Sequence, residues 1–122
     1  MKNIQIKTDT IIDKKNHNLL LVHISDIHFN INTKDNKLND IANKIKEIKP
    51  NYIFISGDLI DTPKITENKI KIKSLLDFLS KLSKIAKVII SLGNHDIILE
   101  NDYNFFKKIN DIKDIYVLNN NY

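Results

Sequence analysis

Leu19-Leu20-Leu21-Val22-His23-Ile24-Ser25-Asp26-Ile27-His28 is a nearly continuous apolar run that ends in a carboxylate and an imidazole. A strand this apolar along its length is expected where helices cover both faces of a sheet. The same order recurs twice. Tyr52-Ile53-Phe54-Ile55 leads into Gly57-Asp58-Leu59-Ile60-Asp61, and Val88-Ile89-Ile90 leads into Gly93-Asn94-His95-Asp96. Each time, metal-competent side chains stand just past the carboxyl end of a buried strand. In an open parallel sheet the loops at that edge meet in a crevice, and ligands bind there. Asp26 and Asp58 are 32 positions apart, and Asp58 and Asn94 are 36 apart. Each interval is about one strand-helix-strand unit, so all three loops can share one edge.

Outward from these runs, hydrophobic periodicity supplies the remaining elements. Ile4 to Lys7 alternates apolar and polar residues and reads as a short edge strand, followed by a polar connection from Thr8 to Asn18. Leu38, Ile41, Ala42, Ile45 and Ile48 fall on one face of a helix that Pro50 ends. From about Glu67, the positions Ile72, Leu75, Leu76, Leu79, Leu82, Ile85 and Ala86 trace a long amphipathic helix ending near Lys87. Val88 to Leu92 is the next strand. Thr62-Pro63 marks a turn or a false helix start. Asn101 or Asp102 can cap a short helix bearing Phe105, Phe106 and Ile109, and Ile115 to Leu118 reads as a last strand. Alternating strands and helices with no repeat or linker predict a single α/β layered domain with a largely parallel sheet.

The residue types at the three strand ends suit a divalent cation. Asp26 and His28, two apart in one loop, offer oxygen and imidazole donors. Asp58 follows one of the chain's two glycines, where the absent side chain lets the backbone turn sharply and a ligand approach closely. Asp61 stands where it can orient a ligand through a hydrogen bond. Asn94 follows the other glycine and offers a neutral amide oxygen, a weaker donor that leaves more positive charge on a metal. Taken singly, each has a plainer reading: Asp26, Asp61 and Asp96 as turn acids, and Gly57-Asp58 as an ordinary turn. His17 lies in a polar segment, and His23, inside the strand, reads as a packed histidine with one hydrogen bond.

Asp-x-His, Gly-Asp-x-x-Asp and Gly-Asn-His-Asp, in this order and at roughly this spacing, resemble the calcineurin-like metallophosphoesterases, from about Leu19 to the end of the chain. The resemblance implies hydrolysis of a phosphate ester, monoester or diester, by a two-metal centre. Asp26 and His28 would hold the first ion, Asp58 would bridge, and Asn94 would hold the second. His95 would face the substrate, stabilising the transition state or protonating the leaving oxygen, with Asp96 fixing its tautomer. Mixed oxygen and nitrogen donors suit Mn²⁺, Fe or Zn²⁺ alike. The family pattern continues into later histidine motifs, whereas no histidine follows His95 here. The expectation is therefore that residues 1–122 form the N-terminal part of one metallophosphoesterase-like domain, with a site that is incomplete in this chain. Two other readings stand beside it. One is an inactive fragment or interaction module that keeps the fold. The other is a receiver-like signalling domain, which gives Asp-x-His and Gly-Asn-His-Asp no role.

Composition narrows the partners. No apolar run approaches the roughly 20 residues that span a bilayer, so no membrane segment is expected. The absence of cysteine removes disulfides and thiolate ligands and points to the cytoplasm. The net charge of +4 comes from nineteen lysines and no arginine, scattered along the chain. Arginine's planar fork dominates phosphate and base recognition, so nucleic acid is not the favoured partner. A sheet lacking its later elements would expose apolar surface, and self-association through that surface is expected.

Overall fold

The computed structural model describes residues 5–12, 18–57, 59–61, 65, 67–91 and 103–118. The elements run β1 (Gln5–Ile12), β2 (Asn18–Ser25), α1 (Asp35–Ile48), β3 (Tyr52–Ser56), α2 (Lys69–Ile85), β4 (Lys87–Ser91), α3 (Tyr103–Asn110) and β5 (Ile115–Leu118). Among the described residues the strands form one sheet in the order β1-β2-β3-β4-β5. Strands β2 to β5 are parallel, and β1 pairs antiparallel with β2 at the edge. The fold is α/β with a largely parallel sheet, as the alternation of elements predicts.

Each parallel step moves to the adjacent strand in the same direction. Right-handed crossovers then place the described helices α1, α2 and α3 on one face of the sheet. Burial follows that geometry. Val22, Ile24, Ile53, Ile55, Val88, Ile90 and Ile115 form one core with Leu38, Ile41, Ala42 and Ile45 of α1, Ile72, Leu75, Phe78, Leu79 and Leu82 of α2, and Ile109 of α3. The alternate residues Leu21 and His23, Tyr52 and Phe54, and Ile89 lie on the opposite face and are only partly buried. Tyr116 and Leu118, on the same face of β5, are 52% and 50% exposed. Helices on both faces are expected from the apolar run at Leu19; among the described residues the helices pack on one. Sequential strand order sends same-handed crossover helices to one face, and a run's hydrophobicity does not say which layer covers each face.

Three boundaries differ from the sequence reading. Strand β1 continues to Ile12 and β2 begins at Asn18, so residues 8–12 and Asn18 of the polar connection expected over Thr8 to Asn18 are strand. Eight register pairs, from Gln5↔Ser25 to Ile12↔Asn18, carry that ladder, and backbone pairing prevails over polar side chains at an edge. Helix α2 begins at Lys69 rather than near Glu67, because the Asn68 side chain accepts from the Lys71 amide at 3.1 Å and caps it. Helix α1 ends as Pro50 requires, with Lys49 turning into the left-handed region at φ 56°. Asn51 then grips Leu20 twice: its amide donates to the Leu20 carbonyl, and its side chain accepts from the Leu20 amide, each at 2.8 Å. Thr62-Pro63, Leu92, Asn101 and Asp102 lie outside the described residues.

Candidate metal centre

The parallel pairing of β2 with β3 ends at Ser25↔Ser56, and the Asp26 amide donates to the Ser56 carbonyl at 3.0 Å. Both chains then leave extended geometry together. Asp26 has φ 54°, His28 φ 48° and Gly57 φ 76°. Left-handed conformations are uncommon outside glycine and are enriched for Asp and His among other residues. Two such residues flanking Ile27 turn the carboxylate and the imidazole out of the strand while Ile27 stays in the core.

The loops pair a second time one step further on. The Phe29 amide donates to the Leu59 carbonyl and the Asp61 amide to the Phe29 carbonyl, both at 2.9 Å, as part of a Phe29↔Ile60 bridge. Phe29 and Ile60 are fully buried. This second pairing brings Asp61 beside His28, with Oδ1 3.4 Å from His28 Nδ1. The other ring nitrogen, Nε2, lies 4.0 Å from Asp26 Oδ1. The imidazole therefore has one nitrogen facing the Asp61 carboxylate, near it but without hydrogen-bond geometry, and the other facing the Asp26 carboxylate.

Asn30 and Thr33, which the sequence reading passed over, hold this loop. The Asn30 side chain donates to the His28 carbonyl at 3.0 Å and accepts from the Asn32 amide at 2.8 Å. The Asn30 amide donates to Thr33 Oγ1 at 3.0 Å, and Lys71 Nζ donates to the Thr33 carbonyl at 2.8 Å, tying the loop to α2. An Asx-type turn was legible in Asn30-x-Asn32, but the anchor to Lys71, 38 positions away, was not.

Two side chains of the donor types a divalent cation takes, Asp26 and His28, stand together among the described residues. At Gly57, the space a Cβ would fill is taken by the Asp26 carboxylate: Oδ1 would touch it, Cγ would lie 2.9 Å away and the Asp26 amide nitrogen 3.2 Å away. Glycine at this position thus seats a carboxylate. The 4.0 Å between His28 Nε2 and Asp26 Oδ1 is too long for a hydrogen bond. Two neighbouring donors, each about 2.1 Å from a shared tetrahedral or octahedral ion, stand about 3.0–3.4 Å apart, so the exposed Asp26 carboxylate would have to move somewhat closer to His28 to share one. Asp58, Asn94, His95 and Asp96 lie outside the described residues. Among the described residues no group of three or more His, Asp or Glu side chains is gathered to hold a metal by itself. His17 also lies outside them, whereas His23 is a strand histidine with one hydrogen bond, to Ser56.

A cleft of about 850 Å³ opens beside Asp61, lined by Asn30, Ile31, Asn32, Ile65, Asn68 and Ile70 among others. Its size is that of a small-molecule site. No helix among the described residues is long and apolar enough to cross a membrane.

Two relatives are UDP-2,3-diacylglucosamine pyrophosphatases LpxG, one from Chlamydia muridarum, 34% identical over 97 residues, and one from Chlamydia trachomatis, 32% identical over the same length. Each comparison covers 79% of this chain and 28% of the relative. An uncharacterized metallophosphoesterase of Campylobacter jejuni, Cj0846, is 27% identical over 116 residues, 94% of this chain and 28% of that protein. The chain thus spans 28% of the length of these curated relatives. The family model of the calcineurin-like phosphoesterases matches residues 19–122, a span that takes in all three strand-end motifs, and the chain belongs to that family.

Proposed function

We propose that this chain carries the amino-terminal share of a two-metal phosphoesterase centre. Asp26 and His28 would hold one divalent ion, and Asp58 and Asn94 would complete the donor set. The observation that carries this reading is the placement of Asp26 and His28: both leave β2 in left-handed conformations, with His28 Nε2 facing Asp26 Oδ1 and Nδ1 facing Asp61. Divalent ions of the Mn²⁺, Fe or Zn²⁺ type would supply Lewis acidity toward the phosphoryl oxygens and a water that ionises near neutrality.

The chain's own residues do the rest. Asp61 holds the His28 ring in one orientation. Gly57 leaves room for the Asp26 carboxylate, so that it stays close to the β3 end that leads into Asp58. His95 acts on the substrate, giving a proton to the leaving oxygen, and Asp96 fixes the tautomer that carries it. The cleft beside Asp61 receives the group attached to the phosphate. Membership of the family removes the receiver-like alternative. Likeness to LpxG makes a pyrophosphate bond in an acylated nucleotide sugar one candidate substrate. The cysteine-free composition supports work in the cytoplasm.

The test is calorimetric titration with Mn²⁺. Asp26→Asn and Asp58→Asn should each weaken uptake at least tenfold, because each removes an anionic donor. Wild-type affinity in both variants would end the metal reading.

A further inference from the structure

His23 is three residues short of the metal-competent pair and has no part in the proposed chemistry. It lies on the sheet face away from the helices, next to partly buried Leu21, Tyr52 and Phe54. A polar ring on such a face is retained at a cost unless it is bonded. Its Nε2 is 2.5 Å from Ser56 Oγ, across the strand boundary and two rungs toward the carboxyl edge. Its register partner Phe54 packs against it, with ring centroids 5.2 Å apart and planes tilted by 52°, which fixes the plane of the imidazole.

Ser56 is the residue on which the strand ends converge. It is the last residue of β3, its carbonyl accepts the Asp26 amide, and it precedes the glycine over which the Asp26 carboxylate lies. Beyond Ser25↔Ser56 the ladder stops, and Asp26 and Gly57 take positive φ; among the described residues one backbone hydrogen bond, from the Asp26 amide to the Ser56 carbonyl, holds Asp26 against β3 before the Phe29↔Ile60 bridge. Terminal rungs of a ladder open locally more readily than its interior.

We propose that His23 is a positioning residue: by bonding Ser56 Oγ it pins the end of β3 against β2 and thereby holds the Asp26 carboxylate over Gly57. In catalytic terms this rests on the metal reading above, but the pin itself is observable without metal.

The experiment is amide hydrogen exchange by NMR on the metal-free chain, with Mn²⁺ titration of the same samples. His23→Leu should speed exchange at the Asp26 amide about three- to tenfold, the size of one net hydrogen bond, and leave the Ile24 and Ile55 amides unchanged. His23→Gln, whose amide nitrogen reaches about as far as the imidazole Nε2, should restore the wild-type rate. Ser56→Ala removes the bond from the other side with a smaller change in packing. It should match His23→Leu, and the double variant should be no faster than either. Mn²⁺ affinity should fall by a similar factor and return with His23→Gln. An unchanged Asp26 rate, failure of glutamine to restore it, or additive effects of the two substitutions would overturn the proposal. If the exchange pattern holds and Mn²⁺ affinity is unmoved, the pin stands and Asp26 loses its role as a metal ligand.

Discussion

Replacing Gly57 by alanine separates what the strand end needs for folding from what the site needs for metal. Two terms act. Gly57 has φ 76°, and an L-residue in the left-handed region costs about 1–2 kcal/mol. The added Cβ would also collide with the Asp26 carboxylate, with Cγ at 2.9 Å and the Asp26 amide nitrogen at 3.2 Å. The carboxylate is the free end of a short side chain that is 60% exposed, so it can swing into solvent at little cost to the fold. The stability loss should therefore be close to the backbone term alone, a fall in Tm of roughly 3–10 °C for a chain of this size. Metal uptake should suffer more, at least tenfold, because Asp26 is driven from its place. Scanning calorimetry and Mn²⁺ titration read the two effects separately. Asp26→Ala combined with Gly57→Ala should recover nothing in Tm, since the strain is in the backbone. A Gly57→Ala variant with wild-type Mn²⁺ affinity would refute the claim that glycine is there to seat the carboxylate.

Mn²⁺ binding should weaken from neutral to mildly acidic pH, because imidazole must be neutral and carboxylate ionised to ligate; titration at two pH values checks this, and an unchanged affinity would exclude His28. In any preparation with measurable turnover, His95→Ala should lower the rate about 10²–10⁴-fold with metal content unchanged, as for a positioned acid; a metal analysis showing an emptied site would make it a ligand instead. The chain by itself should hydrolyse bis-p-nitrophenyl phosphate with excess Mn²⁺ no faster than Asp58→Asn, since Asp58 and Asn94 alone are a thin ligand set for a second ion. Because Tyr116 and Leu118 are half exposed on the uncovered sheet face, the chain should associate as its concentration rises, and Tyr116→Lys with Leu118→Lys should reduce this on size-exclusion chromatography.

The strands at Tyr52–Ser56 and Ile115–Leu118 were legible as short apolar runs bounded by polar residues, and the helix over Leu38 to Ile48 because burial on one face imposes a period that a sequence displays directly. The pairing of Asp26 and His28 at a strand end was legible for a similar reason: a polar break after an apolar run marks the carboxyl edge. What tertiary structure alone decided is how those groups meet. Asp61 reaches His28 only because Phe29 and Ile60 re-pair two loops that are distant in sequence, and Ser56 reaches Asp26 and His23 only through parallel register. Which sheet face the described helices cover likewise followed from strand order. These are long-range relations between elements, whereas propensity and periodicity are local to one, so spacing placed these side chains at strand ends and only packing set how they face one another.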